Sequence, residues 1–203
     1  GDNREKMSRE ELVSAFSLER VQHTPAQMDI RKLENLNGLY TAELPEDEFA
    51  REARRFLDHL APEWSTDIDG TFFRRVAVLM QSRTKRFSQV EEWEPFFVDI
   101  PEYDEKASRK FLSRPGIADA LRAFRQRLTA LSSLTEERIE EAVHETTDAC
   151  GLDRGKLNQP LRVAVTGRTV GAGIYETIAL LGRDCTCRRL DFALSSYCEQ
   201  NNV

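Results

Sequence analysis

The sequence has little of what turn-rich or secreted architectures need. Glycine supplies 10 of the 203 residues and proline 7, while charged residues make up 32% and hydrophobic ones 40%. That balance disfavours a β-sandwich and suits long, solvent-laced helices, so the expected fold class is all-α. Long apolar runs are missing too: Ile174 to Gly182, among the longest, covers 9 residues, against the roughly 20 that a bilayer-spanning helix requires. No signal peptide is expected. The four cysteines, Cys150, Cys185, Cys187 and Cys198, follow no framework spacing and read as reduced thiols of a cytoplasmic protein.

Catalytic constellations are equally scarce. Cys185 and Cys187 form a C-x-C pair with no second pair and no suitably spaced histidine, which argues against a zinc site. His23, His59 and His144 have no serine or cysteine partner in a recognisable motif. Gly167, Gly171 and Gly173 do not follow a buried apolar strand, so a nucleotide-binding loop is a poor fit. No catalytic residue, metal or cofactor is therefore expected within this chain.

What is present is a series of helix signals. Ser8 and Glu11 form a capping-box pattern ahead of Leu12, Val13 and Phe16. Asp29 can cap a segment in which Ile30, Leu33, Leu36 and Tyr40 recur every three or four residues, with Asn37-Gly38 inside the period. Pro45 and the acids Glu46, Asp47 and Glu48 announce a helix to about Leu60. Asp69-Gly70 precedes a helical pattern through Phe72, Phe73, Val76, Leu79 and Met80. Residues Pro95 to Pro101 are expected to be an extended connection and a domain boundary. Further helical patterns span Asp104 to Leu112, Ile117 to Leu131 and Glu136 to Ala149. A glycine-punctuated stretch from Gly151 to Gly173 then leads to a helix through Ile178 and Leu181, renewed near Leu190.

The net charge of -6 is unevenly spread. From Arg74 to Arg86 the charged residues are Arg74, Arg75, Arg83, Lys85 and Arg86, with no acid among 13 residues. On a continuous helix, Arg75 and Arg86 lie three turns apart on nearly one face, as do Arg74 and Lys85. Arg154 to Arg189 holds seven bases against Glu176 and Asp184, whereas Glu136 to Asp153 holds seven acids and one arginine. Basic stretches near Phe87, Trp93, Phe96, Phe97 and Tyr103 suit single-stranded RNA, whose bases stack on aromatics while arginines hold phosphates; Phe96 and Phe97 also read as core. The competing reading is a helical protein-interaction module without RNA binding, its basic stretches serving only solubility.

Two blocks carry a family resemblance. The first runs from Gly1-Asp2-Asn3-Arg4-Glu5 through Glu10-Glu11-Leu12, Leu18-Glu19-Arg20-Val21 and Pro25-Ala26 to Leu36-Asn37-Gly38 and Tyr40. The second is Gln159-Pro160-Leu161-Arg162-Val163-Ala164 with Thr166-Gly167, Gly173, Glu176 and Leu180-Leu181-Gly182. In this order they resemble the C-terminal, tRNA-binding part of bacterial-type glutamyl-tRNA synthetases, a class I ligase family. Lys6-Met7-Ser8 mimics the family's ATP-contacting lysine loop but lies downstream of where that loop belongs. Where the family usually has Ser-Pro, Gly171-Ala172 stand here, and Asn35 replaces a common aromatic.

The resemblance implies three helical parts: the end of a stem-contact region (1–44), a first anticodon-binding domain (45–100) and a second one (101–203). It also implies that the ATP- and Mg-dependent catalytic domain lies outside this chain, which alone should be inactive, and that the partner is tRNA(Glu), bound by a monomer. The tRNA-binding residues expected are Arg86 and Arg162, which match family positions, together with Arg75, Lys85 and Arg168 from the basic stretches. Arg86 aligns with the arginine that reads the third anticodon base, and Arg162 with an anticodon-contacting arginine.

Overall fold

The computed structural model describes residues 6–21 and 27–198. Gly1 to Glu5, His23, Pro25-Ala26 and the end of the chain from residue 199 lie outside the described residues. Among those described there is no strand, and ten α-helices follow one another. They are α1 (Arg9–Ala15), α2 (Ile30–Glu43), α3 (Glu46–Leu60), α4 (Gly70–Met80), α5 (Glu105–Phe111), α6 (Ile117–Ala130), α7 (Glu136–Ala149), α8 (Asn158–Thr166), α9 (Ile174–Leu181) and α10 (Arg183–Ala193).

The expected caps do their work. Ser8 and Glu11 close the capping box at α1, Asp29 accepts from Arg31 and Lys32 at α2, and Asp69 accepts from Phe72 at α4. Each cap satisfies amide donors that the first turn leaves orphaned. Ser8 is thus committed to a helix start, in keeping with reading Lys6-Met7-Ser8 as a coincidental match.

Two hydrophobic cores result. Phe49, Ala53 and Leu57 on α3 meet Phe73, Val76 and Ala77 on α4 and Val90 and Trp93 from a long 3-10 stretch, Phe87–Phe96. The second core gathers Leu121, Phe124 and Leu128 of α6, Ile139 and Val143 of α7, Leu161 and Val165 of α8, Ile178 of α9 and Leu190 of α10. Spacings of three and four place each set on one helical face. Ala172 belongs to the first core although its neighbours in sequence build the second, and Leu181 packs against both.

Pro95 to Pro101 is not an extended connection. Pro95 and Phe96 are buried inside the 3-10 stretch, and the segment to Asp99 bends over the junction of the two cores. Proline lacks only the N–H, so a 3-10 turn that ends in a buried aromatic anchor tolerates it where a long α-helix would not. The glycine-punctuated segment likewise hides a regular element, α8, which ends at Gly167 with φ of 72°. A Cβ at that position would stand 2.2 Å from the Glu102 carbonyl oxygen, so close backbone approach demands glycine there.

The helix α2 docks side-on against the corner after α4. The Gln81 side-chain amide donates to the carbonyls of Leu44 (2.8 Å) and Thr41 (3.1 Å), capping the end of α2. Thr41 donates to the Thr84 carbonyl at 2.8 Å, and Asn37 donates to that of Lys85. The Asn37-Gly38 pair inside a helix is explained by this contact, because a Cβ on residue 38 would press on Lys85 Cγ at 3.0 Å. Gln81→Ala should orphan the carbonyls it caps, at about 1–3 kcal/mol. Amide hydrogen exchange of residues 37–44 is expected to accelerate while α7 keeps its protection; equal exchange in the two proteins would show that the amide does not hold α2.

Candidate nucleic-acid interface

The corner after α4 and the loop 167–173 face each other across a groove of about 440 Å³ lined by Met80, Arg83, Gln89, Phe96, Arg168 and Val170, among others. That volume lies within the roughly 300–1,000 Å³ of ligand-sized pockets. Val170 is 83% exposed at the mouth of this groove.

The structure distributes the five residues singled out in sequence over three places. Lys85 and Arg86 sit in the corner. Lys85 Nζ reaches Asn35 Oδ1 at 2.5 Å, Arg86 pairs with Glu34 at 3.4 Å, and both backbone amides donate to Gln89 Oε1, at 2.8 and 3.1 Å. Gln89 itself lines the groove, so one side chain fixes the corner to the groove wall. Asn35, where an aromatic is usual, takes over as a polar anchor for Lys85.

Arg168 belongs to the opposite wall, and Arg162 bonds to the loop that forms it. Arg168 donates to the Glu92 carbonyl at 3.0 Å and to Glu94 at 3.1 Å, tying the loop to the 3-10 stretch of the first core. Arg162 donates to the Ala172 carbonyl. Burial lowers its pKa from the usual arginine range, Arg83 adds to the lowering, and the carboxylate of Glu176 opposes it. Arg83 in turn lies 3.7 Å from Glu176. Two cations from different cores thus share one carboxylate beside the loop.

Arg75 stands apart. It is exposed on α4 and lines a second groove with Arg74, Glu46, Glu136 and Glu176. The expected common helical face of Arg75 with Arg86, and of Arg74 with Lys85, does not form. The α-helix stops at Met80, a 3-10 turn covers Gln81–Arg83, and Thr84 and Arg86 are extended. Arg74 instead pairs with Asp47 at 2.6 Å. Docking onto α2 is the physical reason, since the Gln81 side chain and the Thr84 carbonyl both bond to it while the Thr84 hydroxyl turns back to the Met80 carbonyl.

The aromatic platform is also corrected. Trp93, Phe96 and Tyr103 are buried, Phe87 packs on Phe49 and Phe56 at 5.4 and 5.5 Å, and Phe97 stacks on Trp64 at 5.3 Å. These rings are engaged mainly in core packing, with Phe96 at the wall of the groove. Sequence reasoning placed neither Arg83 nor Gln89 in the site. The signal available for Gln89 was its place three residues after Arg86, where a side chain turns back to the preceding amides.

Among the described residues no group of three or more His, Cys, Asp or Glu is arranged to hold a metal ion, and no helix is long and apolar enough to cross a membrane. Residues 48–194 match the anticodon binding domain family. The chain belongs to that family. Among its relatives, the glutamate–tRNA ligase of Moorella thermoacetica is 36% identical over 187 residues, covering 91% of this chain and 38% of that protein. The glutamate–tRNA ligase of Roseiflexus castenholzii is 36% identical over 196 residues, 94% of this chain and 38% of that one. A crystal structure of a glutamate tRNA ligase from Elizabethkingia meningosepticum superposes with a TM-score of 0.78 at 23% identity, covering 96% of this chain and 38% of that chain. The all-α fold is shared, and this anticodon binding domain protein spans about two-fifths of the length of the curated relatives it matches. Neither comparison supports a protein-interaction module without RNA binding.

Proposed function

We propose that this chain is the tRNA-recognition part of a glutamate–tRNA ligase, holding the anticodon of tRNA(Glu) so that the acceptor end reaches a catalytic domain elsewhere in the enzyme. The observation that carries the reading is the groove between the corner at Arg86 and the loop 167–173, walled by residues of both cores within the anticodon binding domain match. An unstacked base entering it finds donors on Arg83, Arg168 and Gln89 and an apolar surface on Met80 and Val170, the mixture that single-stranded RNA recognition requires. Phosphates would be neutralised by Lys85 and Arg75, Arg86 would meet the edge of the third anticodon base, and Arg162 would act largely through the loop it holds. ATP and Mg belong to chemistry outside this chain, which by itself forms no aminoacyl-tRNA. A cytoplasmic monomer is the form proposed.

The division into a stem-contact end (1–44) and two anticodon-binding domains (45–100 and 101–203) is part of the same proposal, supported by the two hydrophobic cores. Ten large apolar residues between Leu12 and Tyr40 are exposed. Apolar exposure on this scale is characteristic of an interaction site, and in this reading it is covered by the rest of the ligase.

Binding of labelled tRNA(Glu), measured across a series of salt concentrations, tests the proposal. Affinity should fall steeply with salt and exceed that for a tRNA of unrelated anticodon; equal, salt-insensitive binding of the two tRNAs, or none, would remove it. Arg162→Ala should weaken tRNA(Glu) binding by about 1–3 kcal/mol. If the variant instead melts lower while its folded fraction binds as tightly as the parent, Arg162 serves the fold alone.

A further inference from the structure

The exposed face of α5 carries three bases, Lys106, Arg109 and Lys110, and a fourth, Arg114, stands exposed in the bend just after it. None of them has a carboxylate within ion-pairing distance among the described residues. Lys106, Arg109 and Lys110 have no carbonyl accepting from them either among the described residues, which sets these three apart from the rest of the second core. From Arg122 to Arg189 every lysine and arginine has an acid within 4.0 Å or a carbonyl to which it donates. In a chain of net charge -6, four neighbouring cations without counter-ions are a local inversion.

The arrangement is fixed on the protein. Ala107 and Ser108 are buried, so Lys106, Arg109 and Lys110 share the opposite, solvent-facing side of the helix. Arg114 donates to the Lys110 carbonyl at 2.7 Å, and the Lys110 and Arg114 cations lie 5.1 and 5.0 Å from the centre of the Phe111 ring. Cation–aromatic contact holds both side chains against one half-buried platform. The helix dipole explains Arg109 and Lys110, which sit in the last turn, but not Lys106, which sits in the first turn where a cation is disfavoured. The stripe also starts at the groove. Asp104, which caps α5, lines the groove, and its amide donates to the Gly167 carbonyl at 2.9 Å.

We infer that this stripe is a second phosphate-binding track, taking the RNA backbone as it leaves the groove; the inference rests on the RNA reading above. Lys106 and Lys110 stand one helical turn apart, about 6 Å of rise, with Arg109 beside them and Arg114 beyond the helix end, so the four cations can neutralise about three phosphates of one strand. Contacts of this kind hold a backbone in register without reading sequence.

The test replaces Lys106, Arg109, Lys110 and Arg114 by glutamine together and titrates tRNA(Glu) at several salt concentrations. The slope of log affinity against log salt should become shallower by about two to three, because each phosphate contact contributes roughly 0.7–0.9. Preference for the cognate anticodon should be unchanged. A control that removes four paired bases, Arg122, Arg127, Arg138 and Arg154, should leave the slope within about 0.5 of the parent's. Circular dichroism and the melting midpoint confirm that both variants are folded. An unchanged slope in the α5 variant overturns the inference, as does an equal fall in the control, which would mean bulk charge alone. If the unsubstituted chain fails to bind tRNA, the RNA reading itself is lost and the stripe with it.

Discussion

Arg189→Met should lower the stability of this protein by about 3–5 kcal/mol, the range for removing one partner from a buried charged network. Arg189 is 0% exposed, yet no carboxylate pairs with it directly. Its guanidinium donates to four carbonyls instead: Asp99 at 2.9 Å, Val165 at 2.8 Å, and Pro95 and Val98 at 2.6 Å each. Val165 lies in the last turn of α8, and Pro95 in the last turn of the 3-10 stretch. Both ends expose carbonyls with no partner of their own, and one cation caps the two at once. Burial lowers the arginine's pKa, while nearby Cys185, Tyr103, Asp99 and Glu94 act in the opposite direction. Methionine fills similar space but leaves all four carbonyls buried and unsatisfied. For a chain of this size the loss corresponds to a melting midpoint about 6–20 °C lower. Arg189→Lys, with three donors and a point charge, should fall between the two proteins. A midpoint within about 2 °C of the parent's for the methionine variant would show that the carbonyls find water instead.

The helices were legible because their signals are local. A cap residue and an apolar period of three or four residues lie within one turn or two, and tertiary packing here agrees with them. The failures occurred where a distant partner decides the conformation. Nothing near Gln81 announces that its amide caps α2 some 37 residues earlier in sequence, and that contact is what breaks the basic run into a helix, a turn and an extended corner. Arg189 looked like one more surface base among the seven between Arg154 and Arg189, since its acceptors are main-chain carbonyls that any sequence supplies. The same applies to Phe87 and Phe97, whose composition suits a stacking platform equally well as a core. Family resemblance pointed to Arg86 and Arg162 by position, with a bond from Arg162 to the glycine-rich loop as the competing reading, but nothing local announced that Arg168 spends its hydrogen bonds on the neighbouring core. Helix α8 was masked by the glycines around it, whose backbone needs arise from close approach to residue 102 rather than from an open loop.

Arg86→Gln should narrow the discrimination between anticodons that end in C and those that end in G, the third-base difference between tRNA(Glu) and tRNA(Gln). A guanidinium has five donors and no acceptor. The pairing edge of cytosine presents two acceptors beside its amino group, so arginine can satisfy them. Guanine presents two donors on that edge, and these would face the arginine N–H groups with nothing between. A desolvated donor left unpaired costs about 1–3 kcal/mol, which converts to roughly 5- to 150-fold in affinity. A carboxamide carries both a donor and an acceptor and can turn to suit either base, so most of that factor should vanish in the variant. The site is arranged for such a role. The Arg86 side chain is 56% exposed, its counter-ion Glu34 is 3.4 Å away, and its backbone is held by Gln89, a groove residue. An exposed pair of this kind contributes at most about 1 kcal/mol, a small term for an incoming base to displace. Glu34→Gln separates recognition from docking of α2, because it removes the ion pair and keeps the guanidinium; that variant should retain the preference for C. Stem-loops differing only in the third anticodon base, titrated at fixed salt against the parent and both variants, give the answer. Equal C-over-G preference in the parent and in Arg86→Gln would take Arg86 out of the reading site.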